Sequence, residues 1–294
     1  MTMKKIRYAF EAVFLYLIFA IFKYLPAKTA SNIGGWIGRV IGPRLAASRK
    51  AHKHILMAMP EISNERANEI VRGMWENLGR VIAEYPHLEK ISRYYTTFEN
   101  EERLLSLLEK EDQPLIFIGG HLSNWEINSI ALLTHHNRSV DATYRAPNNP
   151  WVARLLDHAR TLGGRLKAYP KSTESGRKIM QALKQGHALG ILIDQKYNEG
   201  INVPFFNLPA MTNPVAVLLC QRYRCPLVPV KNIRGKDGCS FRIITYPPLD
   251  LFNEDGSPRP AEDVIKEAHA LLEAWIREHP EQWLWLHHRW KNEA

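Results

Sequence analysis

Two short runs, residues 114–119 (PLIFIG) and 188–193 (ALGILI), hold no charged residue and show no polar alternation. Apolar runs of strand length, stopped here by Gly-Gly and by Asp-Gln, read as strands buried on both faces. A sheet is covered on both faces when helical crossovers pack on each side, which calls for mostly parallel strands. The segments between and around them fit. Residues 127–134, 150–163, 173–186, 213–224 and 261–278 have helical apolar spacing, and several of them close on glycine. Residues 139–144 (SVDATY) alternate as a further strand, and 226–246 read as a hairpin turning at Asp237-Gly238. Upstream, 63–85 reads as an amphipathic helix with Ile70, Met74 and Leu78 on its inner face. The expected class is α/β, a mixed sheet covered by helices with its antiparallel hairpin at one side.

A chain of 294 residues has room for a sizeable core. Its three cysteines (Cys220, Cys225, Cys239) form no Cys-x-x-Cys pair, so neither a disulfide framework nor a zinc knuckle is indicated. Charge is distributed unevenly. Residues 1–53 carry ten Lys/Arg against one acid, so the whole net +9 resides there and the remainder sums to zero. A nucleic-acid binder would place that excess on its folded body. Here it flanks the most apolar stretch, residues 8–25 (YAFEAVFLYLIFAIFKYL), with aromatic residues at both ends. Eighteen residues are marginal for a bilayer crossing, which needs roughly 20. The expectation is a membrane anchor helix over 1–26, either spanning or lying in the interface, ahead of one α/β domain over 27–294. The cations following the stretch outnumber those before it, which would leave the body cytoplasmic if the helix spans. Gly34, Gly38 and Gly42, four apart, would allow close helix packing.

At the end of the first buried run stands GGHLSNWE, Gly119 to Glu126. The ends of strands in open α/β sheets are where sites form. Two readings compete. Ser-x-x-Glu ahead of an apolar helix is a capping-box pattern, in which Ser123 and Glu126 serve the backbone and His121 is incidental. Alternatively the glycines bend the chain so that Glu126 orients the His121 imidazole, whose other nitrogen takes a proton from a hydroxyl. The N–H groups of the following helix would then face an oxyanion, and the pair suits acyl transfer to an alcohol. No Gly-x-Ser-x-Gly elbow and no P-loop occurs. His52/His54, His135/His136 and His287/His288 are adjacent or two apart, a poor spacing for metal ligands. A metal-dependent hydrolase built on His121 and Glu126 is the rival class.

Further stretches bear on the choice. Arg145 follows the strand at 139–144, and residues 145–178 hold eight Lys/Arg against two acids. Helix-surface cations are the bland account of that run, while Arg145 at a strand end could reach a phosphate or an acidic carrier. Asp194 and Gln195 end the second buried run. Phe205-Phe206 could be core or line an acyl slot. PEQWLWLHHRWK packs three tryptophans near the C-terminus.

GGHLSNWE, YRAPNNP, DQKYNEGINVPFF and PEQWLWLHHRWK, in this order and spacing, resemble the late lipid A biosynthesis acyltransferases. These are lauroyl/myristoyl transferases of the wider lysophospholipid acyltransferase superfamily. The resemblance covers nearly the whole chain. It implies a glycerol-phosphate-acyltransferase-like fold on the cytoplasmic side of a bacterial inner membrane, with membrane lipids as surroundings. It implies acyl carrier protein as acyl donor, a lipid A precursor as acceptor, and no metal or cofactor, because the thioester is already activated. His121 would be the general base and Glu126 its orienting partner. Arg145 and Arg177 would contact acceptor phosphates or the carrier, and Asp194 and Gln195 would shape the substrate site. A different glycolipid or a lysophospholipid is the alternative acceptor. Two positions depart from the family pattern, Ser123 and Asn207, where glycine would be expected.

Overall fold

The computed structural model describes residues 3–110, 112–144, 146–170 and 173–290, with Thr173 described by backbone alone. The N-terminal half is helical: α1 Met3–Tyr24, α2 Ala27–Ile41, α3 Ala47–Ala58, α4 Asn64–Glu84 and α5 Leu88–Tyr95. β1 Thr96–Glu99 and α6 Glu101–Leu108 lead into the alternating part, β2 Leu115–Gly119, α7 Ile127–His136, β3 Val140–Tyr144, α8 Pro150–Arg160, β4 Ala168–Pro170, α9 Thr173–Lys184 and β5 Ala188–Leu192. The chain continues through β6 Ile201–Phe205, β7 Leu208–Thr212, α10 Val215–Tyr223, β8 Leu227–Arg234, β9 Phe241–Thr245 and α11 Ala261–Glu278.

The described strands form one seven-stranded sheet, ordered β1-β9-β8-β2-β5-β3-β4, and a separate β6-β7 hairpin. From β8 to β4 all neighbours are parallel; β8 and β9 are antiparallel. The α/β class, the mixed sheet and the hairpin at one side are as the residue pattern requires. Both apolar runs became central neighbouring strands, with Gly119 paired to Leu192. β2 is buried throughout, whereas Gly190, Ile191 and Leu192 of β5 keep partial exposure, because a cavity lies against them. The Phe205-Phe206 pair lies in the core with Trp283, Trp285 and Trp290, so those rings do not line the cavity.

The N-terminus departs from a bilayer-crossing anchor. Among the described residues no helix is long and apolar enough to cross a membrane. Glu11 and Lys23 interrupt the apolar run, and part of α1 is spent on the protein itself. Phe19 packs into the main core beside Tyr85 and Leu88, and Phe22 packs with Ala30 and Ala83. The Asn149 amide donates to the Tyr8 carbonyl at 2.8 Å. Phe10, Val13, Phe14, Leu17, Ile21 and Tyr24 remain exposed, as do Trp36, Ile37 and Ile41 of α2. The four-residue glycine spacing of α2 works within the chain. A Cβ on Gly38 would stand 2.1 Å from the Trp75 carbonyl, and one on Gly34 would stand 2.4 Å from that of Gly79, so α2 lies backbone to backbone on α4.

Candidate active site

Because β2 and β5 are parallel neighbours in register, the residues that follow them leave the sheet side by side. His121 stands two residues beyond the end of β2, and Asp194 two beyond the end of β5. The imidazole Nδ1 lies 2.7 Å from Asp194 Oδ1. Asp194 Oδ2 accepts the His121 backbone N–H at 2.6 Å and the Trp283 indole N–H at 2.8 Å. Burial alone would raise the Asp194 carboxyl. The charge of His121 and its two N–H bonds outweigh burial and hold the carboxyl well below the usual aspartate range. An ionised carboxylate accepts only, so in the neutral imidazole Nδ1 carries the proton and the lone pair lies on Nε2. Gly120 permits this approach, since a Cβ there would meet Asp194 Oδ2 at 3.2 Å and Leu272 at 2.7 Å.

The expected His121–Glu126 contact is not what the fold builds. Glu126 is buried against a different partner: Arg160 Nε and Nη2 donate to its two oxygens at 2.7 and 2.6 Å, and the Tyr85 hydroxyl donates at 2.7 Å. Among the described residues no hydrogen bond joins His121 to Glu126. Burial would raise the Glu126 carboxyl, but Arg160 and Tyr85 prevail and lower it; the Tyr85 phenol, buried beside that carboxylate, is raised well above its ordinary value. The reason is local. Ser123, between His121 and Glu126, sits in the left-handed region at φ 58°, and beyond it Glu126 meets Arg160 at the end of α8. That conformation costs a non-glycine residue about 1–2 kcal/mol and explains why glycine suits the position. Asn207, the other departure, also lies in a left-handed turn, at φ 57°, which asparagine tolerates better.

The capping-box reading is overturned as well. α7 begins at Ile127, Glu126 makes no side-chain cap bond, and Ser123 Oγ is buried without a partner among the described residues. Asn124 instead makes an Asx-type turn ahead of the helix, its Oδ1 accepting the Glu126 N–H at 3.2 Å. The Ile127 and Asn128 N–H groups bond to the Asn124 and Trp125 carbonyls, so these two donors at the start of α7 are already engaged.

The tryptophan-rich segment closes over the motif loop. Ser123 N–H donates to the Gln282 carbonyl at 2.8 Å, and Leu284 N–H to the His121 carbonyl at 3.1 Å. His287, whose spacing is poor for a metal ligand, enters the site in another way: its ring stands 4.9 Å from that of His121, and Gln195 Nε2 lies 3.3 Å from Nε2 of each. Gln195 therefore belongs to the constellation with Asp194. Arg177 is exposed on α9 and does not line the cavity, and Arg145 lies outside the described residues. Trp283, His287, Tyr85 and Arg160 are site residues that the spacing of the chain does not point to. Arg160 reads as any helix cation, and a lone indole or phenol carries no spacing signal.

A cavity of about 300 Å³ is lined by His121, Gln195 and residues of the sheet, α7 and α8. Much of its lining is apolar, with Phe117, Leu132, Val140, Leu156, Leu166 and Ile191 among it. No group of three or more His, Cys, Asp or Glu residues that could hold a metal occurs among the described residues.

Known proteins share this chain's sequence pattern. The family model for bacterial lipid A biosynthesis acyltransferases matches residues 2–292. The chain is 24% identical to the lipid A biosynthesis palmitoleoyltransferase of Escherichia coli (strain K12) over 282 residues, 91% of this chain and 86% of that protein. It is also 24% identical to the lipid A biosynthesis lauroyltransferase of the same organism, covering 91% of this chain and 87% of that one. The lipid A biosynthesis acyltransferase of Shigella flexneri is 24% identical over the same share of this chain.

Proposed function

The chain belongs to the bacterial lipid A biosynthesis acyltransferase family, and from that premise we propose that it moves a fatty acyl group from acyl carrier protein to a hydroxyl of a lipid A precursor, with His121 as general base held by Asp194. The observation that carries this reading is the Nδ1–Asp194 bond at 2.7 Å, which leaves Nε2 as the ring nitrogen not held by Asp194, in a residue that lines a largely apolar cavity. The acceptor O–H gives its proton to Nε2, the new C–O bond forms at the thioester carbon, the C–S bond breaks, and the thiolate leaves with the proton His121 received. Asp194 stabilises the imidazolium between the two transfers. Gln195 Nε2, 3.3 Å from Nε2 of both imidazoles, brings an amide donor to the site that would serve the developing oxyanion. The apolar cavity takes the acyl tail. Glu126 and Arg160 form a buried strut under α7 and α8, and their role is to hold the wall of that cavity.

The exposed apolar faces of α1 and α2, together with Lys23, Arg39 and Arg44, suit a helix pair lying in the headgroup region of an anionic bilayer. On this reading the site works at the cytoplasmic face of the inner membrane, where donor and acceptor meet. Arg145 and Arg177 are carried with it as contacts for phosphates or the acidic carrier.

The test uses purified protein with labelled acyl carrier protein and a lipid A precursor, comparing wild type with His121→Ala, Asp194→Asn and Glu126→Gln. Loss of transfer in the first two, with Glu126→Gln less affected at a temperature where it is folded, supports the reading. Full activity of His121→Ala would sink it.

A further inference from the structure

The floor of the cavity contains a row of very small residues. Gly190 of β5, Ala142 of β3 and Ala168 of β4 are paired in register across three adjacent strands, and all three line the cavity. On the other flank of β5 the registered partner is Phe117 of β2. The cavity lining beneath α7 and α8 therefore extends across the strands to β4, beginning beside β2, the strand that leads to His121.

Gly190 shows that this space is kept open. A glycine inside a strand weakens it, and it is found where the chain bulges, takes a positive φ, or is approached closely by another backbone or a ligand. None of the protein-made reasons applies. The ladder to β2 runs on through Gly190 and the ladder to β3 ends in register at it, neither with a bulge. Its φ is not positive. A Cβ built there would meet Val140, Ser129 and Asp141 at 3.6, 3.7 and 3.8 Å, ordinary contact distances, unlike the 2.1–2.4 Å that make glycine obligatory at Gly34 and Gly38. What a side chain at Gly190 would fill is the cavity.

Building on the acyl-transfer reading, we infer that Gly190, Ala142 and Ala168 form the floor on which the acyl tail lies, and that their size sets the longest chain the enzyme accepts. The tail crosses the strands, so its reach is measured in strand spacings of about 4.8 Å. An extended alkyl chain advances about 1.3 Å per carbon, given C–C bonds of about 1.5 Å. Each strand of floor therefore accommodates roughly four carbons.

The experiment offers wild type and the single variants Gly190→Val, Ala142→Val and Ala168→Val a mixture of saturated acyl carrier protein donors of increasing length, with a lipid A precursor as acceptor. Product chain lengths are read by mass spectrometry, and thermal melts report folding. Valine is a good strand former and meets only ordinary contacts at Gly190. The cut-off is expected to shorten in all three variants, most for Gly190→Val and least for Ala168→Val, in steps of roughly four carbons. The ratio of short to long product should move on the order of 100-fold where about four methylenes lose their slot. If wild type transfers acyl groups but the folded variants keep its length profile, or slow equally at every length, the floor assignment is wrong and the acyl-transfer reading stands. The floor assignment is equally wrong if Ile243→Ala, on the opposite flank near β1, lengthens the profile while Gly190→Val leaves it alone. If wild type transfers no acyl group from any donor, the functional reading fails and the floor assignment falls with it. Should Gly190→Val fail to fold, Ala142→Val and Ala168→Val decide the question.

Discussion

Asp194 and Glu126 are both buried carboxylates within the same cavity region, and both are ionised against their burial. Their partners make them different. Asp194 faces an imidazole, a group able to take up and release a proton, and binds both the side chain and the backbone N–H of that residue. Glu126 faces a guanidinium that stays charged, in a two-pronged ion pair completed by Tyr85. The first arrangement can pass a proton and return to its starting state. The second cannot, and instead ties the start of α7 to the end of α8. On the proposed mechanism, identical chemistry on the carboxylate side thus yields a proton-transfer unit in one place and a strut in the other, and the partner decides which.

The sharpest way to break this contrast is Asp194→Asn. An amide can neither stabilise the imidazolium nor enforce the Nδ1–H tautomer, so kcat should fall by about 10³–10⁴ with little change in melting temperature. A variant that keeps near-normal turnover would move Asp194 out of the proton-transfer unit. Glu126→Gln should act in the opposite proportion. Leaving Arg160 buried without its carboxylate costs roughly 3–5 kcal/mol of stability, visible in denaturant unfolding, while turnover below the melting point falls less than in Asp194→Asn. Adding Arg160→Met should recover part of that stability, because it removes the stranded charge.

His269 sharpens the comparison from a third side, as a buried imidazole bonded to neither carboxylate. Its Nδ1 lies 2.7 Å from the Pro204 carbonyl and its Nε2 3.1 Å from Arg289. Burial first, and the Arg289 charge second, push it down from 6.5 to about 4. The unfolded chain then binds a proton that the folded chain refuses between those values. Stability should be full above about pH 6.5 and decline toward pH 4, by up to about 3 kcal/mol. His269→Gln should flatten that part of the melting-temperature profile; an unchanged slope would assign it to other groups. The smallest effect belongs to the turn that separates the two carboxylates. Ser123→Gly relieves a left-handed serine and a buried hydroxyl without a described partner, and should raise stability by about 1 kcal/mol at unchanged turnover. A loss of activity would mean that the Ser123 hydroxyl matters to the site.

Much of this is legible in the chain itself. Apolar runs without alternation have to become central strands, because nothing on either side of them tolerates water. The helices between them follow from apolar spacing and closing glycines. His121, Asp194 and Gln195 stand out as strand-end residues, and the four motifs together mark the family. Pairing is a different matter. The sequence puts Glu126 five residues from His121 and Asp194 seventy-three away, which makes the near carboxylate look like the natural partner. Only the register of β2 against β5 brings Asp194 alongside, and only a left-handed Ser123 turns Glu126 toward Arg160. The apolar N-terminal run is legible as apolar, but how much of it α1 buries against the body depends on the packing of Phe19 and Phe22. Sequence alone determined which residues must leave water and which elements they form, since hydrophobic periodicity is local. Which charged groups meet was decided by tertiary structure, since parallel pairing and a single positive φ act across distances that spacing along the chain does not encode.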